Sequence, residues 1–137
     1  MKKSKILKRL VVFMLIMGIT MTGGISFSKA ADNSGTFNFN LRYGTSDYSD
    51  AVTKNNGNDV ATGRVTSGHL STSDYMRFQV WNSAKTVQYG TETKATSTNN
   101  AAFMIQYGNN IPSMGINLRL KGISGYYQVS AEGTWTP

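Results

Sequence analysis

The sequence predicts an all-β protein, an antiparallel β-sandwich or small barrel of roughly six to eight strands preceded by a helical signal peptide. Three observations carry that expectation. Beyond position 30, Ser, Thr, Asn and Gly supply 47 of the 107 residues, and these are mediocre to poor helix formers. The same segment holds 15 charged residues but 13 aromatic ones, enough to build a core and too little charge to drive disorder. Stretches that alternate apolar and polar residues recur along it, separated by Gly, Asn and Pro.

The leader comes first. The 137 residues carry 14 Lys and Arg against seven Asp and Glu, a formal net charge of +7. Six of those cations (Lys2, Lys3, Lys5, Lys8, Arg9, Lys29) fall in residues 1–30 beside no acidic residue. A 12-residue apolar run, Leu10 to Met21, follows the first five, and small residues lead up to Ser28-Lys29-Ala30. A basic start, an apolar helix and a Ser-x-Ala site make a secretory signal peptide, with cleavage between Ala30 and Ala31. The alternative is a retained anchor: extended to Phe27 the apolar segment reaches 18 residues, against roughly 20 for a spanning helix. Thr20, Thr22 and Gly23-Gly24 interrupt that extension.

Residues 31–137 read as a single secreted β-domain, too short for two independent cores. They carry eight cations and seven carboxylates, a net charge of +1. The cations (Arg42, Lys54, Arg64, Arg77, Lys85, Lys94, Arg119, Lys121) are scattered along the sequence and make no cluster to follow a phosphate backbone. Nucleic acid is therefore not expected as a partner, and membrane contact is expected only through the signal segment before cleavage. With no cysteine, disulfides, cysteine-held metals, thiol catalysis and a lipidated cysteine drop out. No glycosylation sequon and no Leu-Pro-x-Thr-Gly sorting signal is present, so the expectation is a released protein, or one held non-covalently at the cell wall.

The strands follow in order. In Thr36–Tyr43, Phe37, Phe39, Leu41 and Tyr43 face one way and Asn38, Asn40 and Arg42 the other, a half-buried strand. Gly44–Asp47 ends it, Ala51–Lys54 reads as a short strand, and Asn55–Asp59 as an Asn-Gly turn. Val60–Thr66 reads as a strand whose Gly63 implies an edge or a bulge. Tyr75–Trp81 puts Met76, Phe78 and Val80 on the core side, and Val87–Tyr89 is its hairpin partner beyond the turn Asn82–Lys85. Thr91–Asn100 is edge strand or loop. Ala102–Tyr107 has apolar residues on both faces, as a central strand would, and Pro112 marks a loop because it cannot donate to a ladder. Ile116–Lys121 alternates throughout, Gly122–Gly125 turns the chain, and Tyr127, Val129, Ala131, Gly133 and Trp135 then share a face.

No catalytic, cofactor or metal set is expected. His69 is the only histidine; it stands in a Ser/Gly segment without a nucleophile elbow and reads as an exposed loop residue. Glu92 and Glu132 are the only glutamates, and a glycosidase pair would need them at a defined separation. Asp47, Asp50, Asn58 and Asp59 carry oxygen donors suited to calcium, yet match no EF-hand loop and suit turns. The candidate binding face is Tyr75, Arg77, Gln79 and Trp81, opposite Met76, Phe78 and Val80. It forms an aromatic, cationic and amide strip suited to sugar or peptide stacking, with Tyr126, Gln128 and Glu132 as a neighbouring strip. The competing reading has Tyr75 or Trp81 closing an end of the core.

With Phe37-Asn-Phe-Asn-Leu41 at the front, and Ile116-Asn-Leu-Arg-Leu120 and Tyr127–Trp135 at the end, the chain resembles an uncharacterised family of short signal-peptide-bearing secreted proteins of Gram-positive bacteria. Some of these are encoded beside bacteriocin or peptide-export systems. It also has the format of cysteine-free bacteriocins of the lactococcin type, though it is longer and has His69 in place of their His-rich midsection. The β pattern, the near-zero charge of residues 31–137 and the absence of a catalytic set point to a secreted, non-enzymatic protein binding cell envelope, protein or glycan; size, export and the resemblance imply the alternative, a bacteriocin-like effector or its accessory protein, and the resemblance carries over no catalytic residue.

Overall fold

The computed structural model describes residues 33–125 and 127–137. The expected signal segment, with its expected cleavage site at Ala30 and Ala31, and Tyr126 lie outside them. Nine strands follow one another: β1 (Gly35–Leu41), β2 (Ser46–Tyr48), β3 (Val52–Thr53), β4 (Val60–His69), β5 (Met76–Asn82), β6 (Gln88–Ala95), β7 (Ala101–Gln106), β8 (Asn117–Ser124) and β9 (Val129–Thr136). They form two sheets. The first runs β1-β9-β4-β7; the second runs β2-β8-β5-β6, with β3 also beside β8. Every pair is antiparallel, and no helix occurs among the described residues. This is a β-sandwich.

Alternation decides what each strand buries. Phe37, Phe39 and Leu41 of β1, Val129, Ala131 and Trp135 of β9, Met76, Phe78 and Val80 of β5, and Leu118 and Leu120 of β8 are all buried. Phe78 of the second sheet stacks on Phe103 of the first at 4.5 Å and 22°, and lies 5.3 Å from Phe37. Phe37 stacks in turn on Phe39 at 5.5 Å. Each ring withdrawn from water contributes on the order of 1.5–3 kcal/mol. Space for them comes from missing side chains opposite. A Cβ at Gly63 would strike the Phe103 ring, one at Gly122 the Phe39 ring, and one at Gly133 the carbonyl oxygen of Arg64 on the adjacent β4.

The structure departs from the sequence reading at several elements, each for a packing reason. Ala102–Tyr107 is not central: β7 is an edge of its sheet, and its second apolar face is exposed Ala102 and Met104. Gly63 marks neither edge nor bulge. β4 is central, its irregularity falls between Val65 and Ser67, and Gly63 is a seat for Phe103. Gly122 does not turn the chain; it continues β8 beneath Phe39, and β8 and β9 belong to different sheets. Tyr127 does not join the inward face of β9 but is 64% exposed before that strand begins. The turn expected at Gly44–Asp47 is shorter, closed by Thr45 N donating to Arg42 O, and leads into β2. Between β2 and β3 the edge is broken at Ser49, whose N donates to Leu120 O (2.8 Å) while its Oγ accepts from Leu120 N (3.0 Å).

Among the described residues one charged side chain is wholly inside. Lys54 Nζ donates to Asn56 Oδ1 (2.9 Å) and to Asn58 O (2.8 Å) and lies 5.1 Å from the centre of the Tyr107 ring. Asn56 Nδ2 donates to Pro137 O (3.0 Å), so the loop after β3 is tied to the residue following β9. The Tyr107 hydroxyl is buried with no partner among the described residues, and burial pushes its phenol well above the ordinary value.

Two stability measurements check this packing. Gly133→Ala forces β9 away from β4 and should cost about 3 kcal/mol in denaturant melts, an overpacking effect at the backbone. The unfolded Tyr107 phenol ionises near pH 10 while the native one stays protonated, so above that pH the native state binds more protons and stability falls as pH rises. Tyr107→Phe should leave neutral-pH stability equal or higher by about 1 kcal/mol and flatten the decline above about pH 10.

Candidate functional site

The outer face of the five-stranded sheet is where chemically capable side chains converge. β5 presents Arg77, Gln79 and Trp81 there, half-buried, because Met76, Phe78 and Val80 take the inward positions; Tyr75 stands directly before the strand. The flanking strands supply neighbours in register: Lys94 of β6 opposite Arg77, Lys121 of β8 opposite Gln79, Arg119 of β8 and Gln88 of β6 opposite Trp81. β2 places Tyr48 opposite Lys121.

A chain of hydrogen bonds fixes the middle of this face. Trp81 Nε1 donates to Gln79 Oε1 (3.0 Å), Gln79 Nε2 donates to Glu92 Oε2 (3.1 Å), and Arg77 Nη1 pairs with Glu92 Oε1 (3.3 Å). Exposed pairs of this kind contribute little to stability, about 0–1 kcal/mol, but they hold the three β5 side chains in one arrangement. Around them the rings carry ammonium groups. Lys85 Nζ lies 4.7 Å from the Tyr48 centroid and Lys121 Nζ 5.3 Å from the same ring. Lys121 Nζ is also 5.0 Å from the Trp81 centroid, and Lys94 Nζ is 4.3 Å from that of Tyr75. Tyr48 meets Trp81 edge-on at 6.3 Å and 84°. Lys85 reaches Tyr48 from the turn after β5, where its own backbone is left-handed (φ 61°).

The four candidate residues thus share one surface, and Tyr75 and Trp81 lie on it rather than capping the core. Tyr48, Lys85, Glu92, Lys94 and Lys121 join them, which sequence reasoning missed. The cations that look scattered along the chain are gathered in space: five of the eight in residues 31–137, Arg77, Lys85, Lys94, Arg119 and Lys121, sit on or beside this face. The outward position of Lys121 was legible from its alternation with Leu118 and Leu120; its neighbours were not.

Other expected groupings fall apart. The strip with Gln128 and Glu132 is not a neighbour, because β9 lies in the other sheet. Glu132 accepts from Asn38 Nδ2 (2.8 Å) and Ser67 Oγ (2.9 Å) on that sheet's outer face, so Glu92 and Glu132 stand on opposite sides of the sandwich and form no carboxylate pair. His69 is the last residue of β4 and exposed, in a depression of about 330 Å³ with Asn40, Gln128 and Ser130. A second depression on the same sheet, about 450 Å³, is lined by Thr62, Arg64, Phe103, Met104, Thr134 and Trp135; its two aromatic side chains are buried core residues. Asp47 Oδ1 accepts from Tyr48 N, Asp59 O from Tyr107 N, and Asn58 O from Lys54 Nζ, which is loop chemistry. Among the described residues no three His, Cys, Asp or Glu side chains converge on a metal position.

No protein-family model, no curated protein and no solved structure matches the chain.

Proposed function

We propose that the protein is exported by its N-terminal leader and acts as a non-enzymatic binding module of the bacterial cell envelope, docking through the outer face of the five-stranded sheet. The observation that carries this reading is the assembly of Tyr48, Tyr75, Arg77, Gln79, Trp81 and Lys121 on one open face, locked by the Trp81–Gln79–Glu92–Arg77 bonds. Side chains held on paired strands are better positioned for recognition than side chains on loops, and an amphipathic Trp or Tyr with a neighbouring cation is a common binding anchor. The near-neutral charge of residues 31–137 and the lack of a convergent catalytic set among the described residues favour binding over turnover. Envelope docking is also the step that a bacteriocin-like effector would share.

Retention of the purified protein on isolated cell walls tests this. Trp81→Ala should lower retention about tenfold or more, the size expected for an aromatic anchor. Met104→Ala, on the outer face of the other sheet, should leave it unchanged, with circular dichroism reporting an intact fold in both. Equal retention by the wild-type protein and a folded Trp81→Ala variant would overturn the assignment to this face.

A further inference from the structure

The chemical class of the ligand follows from how the rings are occupied, and the inference rests on the docking reading above. Tyr48 carries the ammonium groups of Lys85 and Lys121, Trp81 that of Lys121, and Tyr75 that of Lys94. A sugar ring could stack on these aromatics only by displacing lysines that the ring quadrupoles attract. What the surface offers a ligand first is therefore a set of ammonium groups. A free lysine side chain gives up much rotamer freedom when it pairs with an anion; here the rings restrict that freedom beforehand, which lowers the ordering cost at binding.

The two arginines narrow the class further. Arg77 is paired with Glu92, and Arg119 donates from Nη1 to Ser49 O (2.7 Å) and from Nε to Ser83 O (3.3 Å). Glu92 thus neutralises Arg77, which pairs through Nη1 alone while its buried Nε has no partner among the described residues, and backbone carbonyls hold Arg119; the compact lysine charges that remain suit phosphate oxygens. Position along the strand supplies the last constraint. Lys94 Nζ sits over Tyr75, just before the start of β5, whereas Lys85 Nζ and Lys121 Nζ meet on the Tyr48 ring beside Trp81 near its other end. At about 3.3 Å per residue the Tyr75 and Trp81 stations lie roughly 20 Å apart along the strand, too far for one phosphate to serve. From these observations we infer that the face binds a linear phosphodiester-linked glycan or polyol polymer of the cell wall, read through its repeating phosphates by Lys85, Lys94 and Lys121. Glu92 acts as the built-in counter-charge that keeps Arg77 out of the contact.

The test compares retention on Gram-positive walls that keep their phosphodiester polymer with retention on the same walls after acid extraction, alongside double-stranded DNA immobilised at equal phosphate density. Intact walls should retain the protein, extracted walls should lose it, and affinity should fall about 20- to 40-fold between roughly 50 and 200 mM salt, as for about three phosphate contacts. Changing Lys85, Lys94 and Lys121 together to Gln should cost at least about tenfold and flatten the salt dependence, whereas Lys→Arg at all three should preserve binding. Glu92→Gln frees Arg77 and should tighten binding about two- to fivefold. Equal retention by intact and extracted walls, insensitive to the Lys→Gln changes, would overturn the phosphate inference and leave wall docking standing. No retention by either wall would overturn the docking reading itself, and tighter retention by DNA than by intact walls would overturn the wall polymer as ligand.

Discussion

The contact between the Phe78 and Phe103 rings is the one on which the rest of the sandwich depends. It joins the two sheets at 4.5 Å, and Phe37 and Phe39 extend it toward the β1 edge. Rings of that size set the distance between the sheets, and the sheets meet that distance only because Gly63 and Gly122 leave room beneath Phe103 and Phe39. Two glycines that weaken their strands taken alone are thus required by the core. The same contact fixes which side chains of β5 point out. With Phe78 locked inward, Arg77, Gln79 and Trp81 have no choice of face, since a one-residue slip would exchange the whole set.

Polar side chains solve the problems that alternation cannot. Where the edge of the second sheet breaks between β2 and β3, Ser49 continues the ladder with its hydroxyl and keeps a buried Leu120 amide paired, a group that would be costly to orphan. Lys54 performs a similar task at the end of the core: its ammonium, seated against the Tyr107 ring, gathers the Asn56 side chain and the Asn58 carbonyl. A buried charge is tolerated only with such partners.

What was legible in the sequence was local. The two-residue period of Phe37-Asn-Phe-Asn-Leu41 and of Tyr75–Trp81 reveals which side of a strand is wet, and in the structure Arg77, Gln79 and Trp81 share the outer side of β5 with Tyr75 directly before it. The period carries no information about which strand lies alongside or in which sheet. Lys94 and Lys121 were therefore invisible as companions of β5, Gln128 and Glu132 were assigned to the wrong side, and Gly122 read as a turn because the Phe39 ring above it comes from 83 residues earlier. The burial of Lys54 was equally hidden. Its identity argues for the surface, and only the distant Tyr107 and the loop around Asn56 reverse that.

The pairing of β1 with β9 has a consequence for the order of assembly. Among the described residues β9 is the last strand and the only one beside β1, and it also separates β1 from β4. Until it arrives, Phe37 and Phe39 belong to a strand without a neighbour, and the first sheet lacks its middle. Contacts of such long sequence separation form slowly because loop closure precedes any reward. A polypeptide threaded lengthwise through a narrow pore, front end first, would hold its first strand unpartnered on the far side until residue 136 came through. The topology thus makes completion of the first sheet wait for β9.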